Sequence, residues 1–354
     1  MHYLDWASTA IPGIHVSEYN YNWFNPNSHY AIDECLEFVE CEKQVKKTLG
    51  AKSGKVIFGG NASWFFDKLS EFSPDALFCS PYEHKCVYDN GLEMGNIDKL
   101  QEYDIYCHQF VNNVTGEIFP VDKIGRTVRE KQGFFICDAT AAIGRCIVPD
   151  ELDNWCDMFV MSSHKAGVDN KQIGCAWISD RFFSYLADLG NSFMYQNTVM
   201  QSYGWINGTP DLACVKATTE AIIFANKRTK GISEHYENLI WALIGKLEAN
   251  DIDYIGVHAK HTKQRCLGIN AITLPNIKAD ALCNYLASVH QVYISPGHSA
   301  CEENSDYRVL KRYGLSQEEC ESTIRVSFGP STSYEDINAF VGAIIEYKER
   351  YMND

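Results

Sequence analysis

Between about residues 29 and 240, short apolar runs alternate with helix-like stretches, and this alternation limits the folds open to the chain. The runs at 55–58, 76–79, 105–111, 134–137, 158–161 and 175–178 are rich in β-branched or aromatic residues. Gly, Ser, Asp or Pro bounds most of them. Such residues suit pleated, buried strands. Strands that alternate with helices predict a mainly parallel sheet covered on both faces. Ligands of such sheets collect at the carboxyl ends of the strands. Ile32, Leu36 and Val39 fall at helical spacing ahead of Gly50, which predicts a helix with a glycine stop.

The C-terminal third has another rhythm. Ser233 reads as the N-cap of a helix carrying Leu239, Leu243, Ile244 and Leu247. Strand-like residues 267–274, a helix near 280–289 and a strand at 292–295 follow. Ser316 with Glu319 and Thr332 with Glu335 have the spacing of capping boxes and predict two last helices. The expected architecture is α/β, with a large domain of residues 15–229 built on a mainly parallel sheet. A smaller α+β domain would combine residues 1–14 and 230–354.

Composition removes several classes of function. Of 354 residues, 45% are apolar and 22% charged, as in folded globular chains. No apolar run reaches the roughly 18 residues of a membrane span, and the first residues lack a basic and an apolar region of a signal peptide. A cytoplasmic protein with no membrane partner is expected. The formal charge of −15 repels phosphate backbones, so direct nucleic-acid binding is not expected. Fourteen cysteines are scattered, often inside apolar stretches, without zinc-like spacing. That predicts buried thiols in a reducing compartment and no metal.

Four segments carry candidate chemistry. Lys165, in Ser162-Ser163-His164-Lys165, directly follows an apolar run. A lysine there is costly unless its charge is paired or chemically used, and a Schiff base to an aldehyde cofactor uses it. Asp138 closes the run before it, where a carboxylate would protonate and hold a pyridine nitrogen. Gly59-Gly60-Asn61-Ala62-Ser63 leads from a strand into a helix, with backbone N–H groups suited to a phosphate. Cys301 ends Ser295-Pro296-Gly297-His298-Ser299-Ala300-Cys301, a turn-rich loop that suits a thiol nucleophile. Taken singly, each has a plainer reading: a surface lysine, an aspartate capping a turn, a glycine turn, an incidental thiol. Asp138 and Lys165 at adjacent strand ends weigh more together.

The order of further motifs resembles the cysteine desulfurases, of the class V aminotransferase group of fold-type I pyridoxal-phosphate (PLP) enzymes. The matching segments begin with Tyr3-Leu4-Asp5-Trp6-Ala7-Ser8-Thr9-Ala10, Asn25-Pro26-Asn27-Ser28, Glu83-His84-Lys85 and Asn112-Asn113-Val114-Thr115-Gly116. They continue with Asp138-Ala139-Thr140, Ser162-Ser163-His164-Lys165, Gly208-Thr209, Ser299-Ala300-Cys301 and Ile324-Arg325-Val326-Ser327.

The resemblance implies that Lys165 carries PLP and shuttles protons. Asp138 would pair with the pyridine nitrogen, and His84 would stack on the ring. Asn113 would approach the phenolic oxygen and the substrate. Asn61, Ala62, Ser63, Ser162 and His164 would cup the phosphate, with Thr209 of a second subunit, which implies a homodimer. Arg325 would grip the carboxylate of L-cysteine. Cys301 would take the sulfur as a persulfide, leaving L-alanine, and pass it to a sulfur-acceptor protein. Iron–sulfur assembly, tRNA thiolation and sulfur modification of the DNA backbone are the destinations such enzymes serve. Selenocysteine lyase, another class V activity, or a PLP-fold scaffold that works by binding partners are the alternatives.

The chain departs from the family's pattern in places. Ala141 stands where a glutamine usually bonds the phenolic oxygen, and Ser63 and Trp64 replace the usual threonine and glutamate. Ile206-Asn207 lacks the basic residue common before Gly208-Thr209. The loop after Cys301 is short, which predicts sulfur transfer only to a docked acceptor.

Overall fold

In the computed structural model, which describes residues 1–19, 30–72, 76–188, 211–256, 264–298 and 307–352, the six apolar runs all become strands of one sheet. These are β2 (Lys55–Gly59), β3 (Leu77–Cys79), β5 (Ile105–Gln109), β6 (Phe134–Asp138), β7 (Met158–Ser162) and β8 (Gly174–Ile178), joined by β4 (Leu92–Glu93). Among the described residues the sheet has seven strands in the order β2-β8-β7-β6-β5-β3-β4. Only β8 runs against its neighbours. Every residue of β5, β6, β7 and β8 is buried, as expected of strands covered on both faces.

The sheet belongs to the larger of two units, Ile11–Phe110 with Pro120–Thr229. On one face, Phe65, Phe66 and Leu69 of helix Ala62–Phe72 pack with Ile57, Ile136 and Val160. Helix Asp180–Asp188 adds Phe182 and Leu186 to that cluster. Helix Ile32–Leu49 sets Phe38 edge-on against Phe58, with ring centroids 5.7 Å apart. Its buried stripe is Phe38, Cys41, Val45 and Leu49, whereas Ile32 and Leu36 are exposed. The helix was legible, and of the residues that marked it Ile32 and Leu36 lie on its exposed face. Gly50 ends it in the left-handed region at φ 71°.

Below the carboxyl ends, the amino edge is pinned by Asp157, a fully buried carboxylate just before β7. It accepts from Arg129 Nη2 at 2.8 Å, Arg181 Nε at 2.8 Å, Ser179 Oγ at 2.9 Å and the Phe135 backbone at 3.0 Å.

The smaller unit is Met1–Ala10, Val111–Phe119 and Lys230–Asp354. Its antiparallel sheet contains β9 (Ile255–Gly256), β10 (Ile269–Thr273), β12 (Ser295–Pro296) and β13 (Thr323–Ser327), in the order β12-β13-β10-β9. Strand β1 (His2–Tyr3) pairs in parallel with β11 (Val292–Tyr293). Leu4, Leu239, Leu243, Ile272, Leu282, Val326, Phe328 and Phe340 share the core. The expected large domain of 15–229 did not set apart residues 111–119. Val111 pairs with Ile118 within this segment, and the pairing of Glu117 with Arg265 joins it to the smaller unit.

Two helix starts differ from expectation. Ser233 caps nothing: it lies inside one continuous helix, Leu212–Ala249, because the stretch before it is as helix-compatible as the stretch after. The box at Ser316 and Glu319 is present, but the last box lies one residue later, between Ser333 and Asp336. Thr332 is engaged elsewhere, its hydroxyl accepting from the Gly329 N–H at 2.9 Å. Among the described residues no helix is long and apolar enough to cross a membrane.

A close approach fixes the N-terminal arm. A side-chain carbon on Gly329 would stand 1.9 Å from the buried Trp6 ring. Gly329→Ala is therefore expected to cost about 1–3 kcal/mol through overpacking. Calorimetry should show a melting temperature lowered by a few degrees, and an unchanged transition would remove this account of the glycine.

Candidate functional site

The registers of the larger sheet set several strand ends side by side. Gly59 of β2 and Ser162 of β7 both face Gly174 of β8, and Asp138 of β6 pairs with Val160 of β7 and Gln109 of β5. Gly174 has to be glycine here, since a side-chain carbon would meet the carbonyls of Met161 and Gly60 at 2.7 and 2.8 Å. Asn61 follows β2 and caps helix Ala62–Phe72 by accepting from the Trp64 N–H at 3.2 Å. The first turn of that helix, with Ser63, thus opens at the carboxyl edge, where free backbone N–H groups favour an anion. Beside it, Ser162 Oγ and His164 Nδ1 lie 3.1 Å apart.

Lys165 sits in the single turn Ser163–Ala166 that β7 runs into, and is half-buried. Ser163 ties that turn down through its hydroxyl, which donates to the Ile173 carbonyl at 2.6 Å. Asp138 ends the neighbouring strand. Burial raises its carboxyl above the ordinary range, against the bonds from Thr140 and the charge of Lys165, which lower it. The Thr140 N–H donates to its Oδ1 at 2.9 Å. A carboxylate so placed favours a partner that brings a proton or a positive charge. Ala141, three residues past the strand's end, is buried and offers no polar side chain.

His84 follows β3 and caps the turn Lys85–Tyr88. Its Nδ1 accepts from the Cys86 N–H at 3.3 Å and lies 3.0 Å from Cys86 Sγ. An accepting Nδ1 puts the proton of the neutral ring on Nε2. The preceding Glu83 is fully buried and accepts from Ser80 Oγ at 2.7 Å and the Gln109 N–H at 2.9 Å, which anchors the turn. Cys86 was not among the residues singled out from the sequence. Its thiol is pushed up to about 12, first by burial and then by Asp138, while Ser63 and Lys165 pull the other way. The same couplings place Ser63, Cys86, Asp138 and Lys165 in one electrostatic neighbourhood. Nothing in the sequence signals this except adjacency to His84.

The other two described candidates lie in the smaller unit and touch. Arg325, on β13, donates from Nη1 to the Asn113 carbonyl at 3.1 Å. Its Nη2 donates to Asp5 Oδ1 at 3.0 Å and to Ser295 Oγ at 3.2 Å. Arg325 Nε and Asn113 Oδ1 are buried without a hydrogen-bond partner. Cys301, Thr209 and the segment Asn25-Pro26-Asn27-Ser28 lie outside the described residues.

The chain is similar to known proteins over most of its length. The profile of the family described as aminotransferase class-V matches residues 93–340. A probable cysteine desulfurase of Pyrococcus abyssi is 21% identical over 97% of this chain and 93% of its own. A protein named cysteine desulfurase IscS from Clostridium botulinum is 28% identical over 95% of this chain and 91% of its own. Among solved structures, a NifS-like protein superposes with a TM-score of 0.81 at 20% identity, covering 99% of this chain and all of its own. An apo cysteine desulfurase from Thermococcus onnurineus gives 0.77 at 18% identity, over 99% and 95%. At these identities the structural likeness establishes the fold.

The thiol beside His84 gives a direct check. With its pKa near 12, only about one Cys86 in 10⁴ is thiolate at pH 8. Alkylation of the Cys86 peptide, followed by mass spectrometry, should be roughly a thousandfold slower in the folded protein than in denaturant at that pH. Its rate should still rise about tenfold per pH unit above pH 9, where an ordinary thiol levels off. Equal rates in folded and denatured protein would contradict the burial.

Proposed function

Because the chain belongs to the aminotransferase class-V family, we propose that it is a PLP-dependent cysteine desulfurase of the cytoplasm. It would convert L-cysteine to L-alanine and carry the released sulfur as a persulfide on Cys301. The observation that most supports this is the placement of the buried Asp138 and of the turn carrying Lys165 at the ends of the adjacent strands β6 and β7. A fully buried carboxylate with raised proton affinity fits the protonated nitrogen of a pyridine ring. A half-buried lysine within reach of that charge fits the point at which an aldehyde is held. When bound, PLP supplies an electron sink for charge left on the substrate's α-carbon.

The chain's own residues divide the remaining work. Asp138 holds the ring nitrogen in its protonated form. The opening turn of helix Ala62–Phe72, with Asn61, Ala62 and Ser63, receives the phosphate together with Ser162 and His164. Thr209 of a second copy completes that cup, so the working form is a homodimer. His84, its orientation fixed by the N–H of Cys86, would stack on the ring. Asn113 serves the phenolic oxygen, and Ala141 leaves that oxygen one bond fewer than the family's usual glutamine would give.

Arg325 receives the cysteine carboxylate, which its planar fork suits better than a lysine ammonium would. The Lys165 amine would be the base that takes the proton from the substrate's α-carbon. The Cys301 thiolate then attacks the substrate sulfur. The carbon–sulfur bond would break with its electron pair left on the carbon side, the β-carbon would take up a proton, a sulfur–sulfur bond would form, and alanine would leave. A docked sulfur-acceptor protein removes the outer sulfur and restores the thiol.

Two substitutions test this reading. Lys165→Ala should lower alanine release from L-cysteine by roughly 10²–10⁴-fold or more, through loss of both attachment and proton transfer. Cys301→Ser should stop persulfide formation, read by mass spectrometry of the intact chain, and with it alanine release. Full turnover in Cys301→Ser would point to a lyase that needs no thiol. Full turnover in Lys165→Ala would end the proposal.

A further inference from the structure

The N-terminal motif at residues 3–10 takes no part in the chemistry above, yet its aspartate lies against Arg325. The Asp5 carboxylate and the Arg325 guanidinium form a salt bridge of 3.0 Å, with side-chain exposures of 17% and 5%. A guanidinium carries five N–H groups, two on each Nη and one on Nε. Both Nη2 hydrogens are engaged, by Asp5 and Ser295, and one on Nη1 serves the Asn113 carbonyl. Nε–H is buried without a partner. A carboxylate can lie bidentate on only two edges of the fork, Nε with Nη2 or Nη1 with Nη2, because the stem blocks the third. Each edge includes Nη2. Two parallel bonds to an incoming carboxylate therefore require that Asp5 or Ser295 give way, and Asp5 carries the like charge.

We propose that Asp5 is the resting counter-ion of Arg325 and that the α-carboxylate of the substrate displaces it. Binding is then an exchange of one carboxylate for another on a buried arginine. This rests on the reading of Arg325 as the group that receives the substrate carboxylate. The backbone of Asp5 stays in place during the exchange. Asp5 bridges to Ser327, Ser327 N–H donates to the Leu4 carbonyl at 2.8 Å, and Ala7 N–H donates to Ser327 Oγ at 2.9 Å. Only the side chain has to turn, and it is the more exposed partner of the pair. Until substrate arrives, Asp5 keeps a buried positive charge from standing alone, which is the costly state.

The experiment uses the PLP-loaded enzyme and two readouts: steady-state kinetics with L-cysteine, and titration of the visible spectrum with L-alanine, which reports binding without turnover. Asp5→Asn keeps the shape and removes the competing charge. The Kd for alanine and the KM for cysteine should both fall about tenfold, the equivalent of 1.4 kcal/mol. In an Arg325→Gln background the same change should have no such effect. Asp5→Ser carries the same expectation and replaces Asp5→Asn should the latter fold poorly. If Asp5→Asn leaves both constants unchanged or raises them while Arg325→Gln weakens binding, Asp5 merely positions the arginine and the exchange is wrong. If Arg325→Gln leaves alanine binding intact, the assignment of Arg325 itself fails and the exchange falls with it.

Discussion

The burial of the Asp138 carboxylate at the end of β6 is the constraint around which the larger unit is arranged. A carboxylate removed from water costs several kcal/mol unless charges or donors compensate. The same unit shows what full compensation looks like. Asp157, before β7, is ringed by two arginines, a serine hydroxyl and a backbone N–H. Asp138, one strand over at the opposite edge, has a turn from Thr140 and the charge of Lys165, and its carboxyl remains raised. One edge of the sheet is thus electrostatically closed, and the other is left with an unmet demand for positive charge. Asn61, Ala62, Ser63, Ser162, His164 and Lys165, all proposed for the cofactor, lie on the second edge.

The sheet was legible because burial on both faces writes itself as continuous apolar runs. All six runs became strands, and the short β4, with both residues exposed, was the one that such a signal misses. Polarity of the strands was less visible. The turn between β7 and β8 makes β8 antiparallel, and apolar runs read the same in either direction. The helical spacing of Ile32 and Leu36 marked helix Ile32–Leu49 without telling which face turns inward, and both side chains are exposed. The cap-like Ser233 suggested a start, where helix-compatible sequence on both sides carries one helix straight through.

The candidate site divides along similar lines. Asn61, Ser63, Asp138, Ser162, His164 and Lys165 were singled out because they end or follow apolar runs, and the structure sets them at the ends of β2, β6 and β7, whereas His84 came from the resemblance alone. Cys86 and Glu83 support His84 through contacts that no spacing rule reveals, the first a thiol and the second a fully buried acid. Asp5 was part of a recognised motif without an assigned task. Its relation to Arg325 depends on a pairing between residues 320 apart in the chain, which a linear reading has no means to anticipate.

That separation bears on how the protein is made. Tyr3 lies beside Tyr293, and Asp5 beside Ser327 and Arg325. At a synthesis rate of about 5–20 residues per second, the arm emerges roughly a quarter of a minute to a minute before its partners exist. Throughout that interval Leu4 and Trp6, both buried in the finished fold, have no native surface to meet. The smaller unit is drawn from three stretches of chain and closes only when the last of them arrives, so its assembly comes late and its earliest apolar residues are those most in need of a chaperone's shelter.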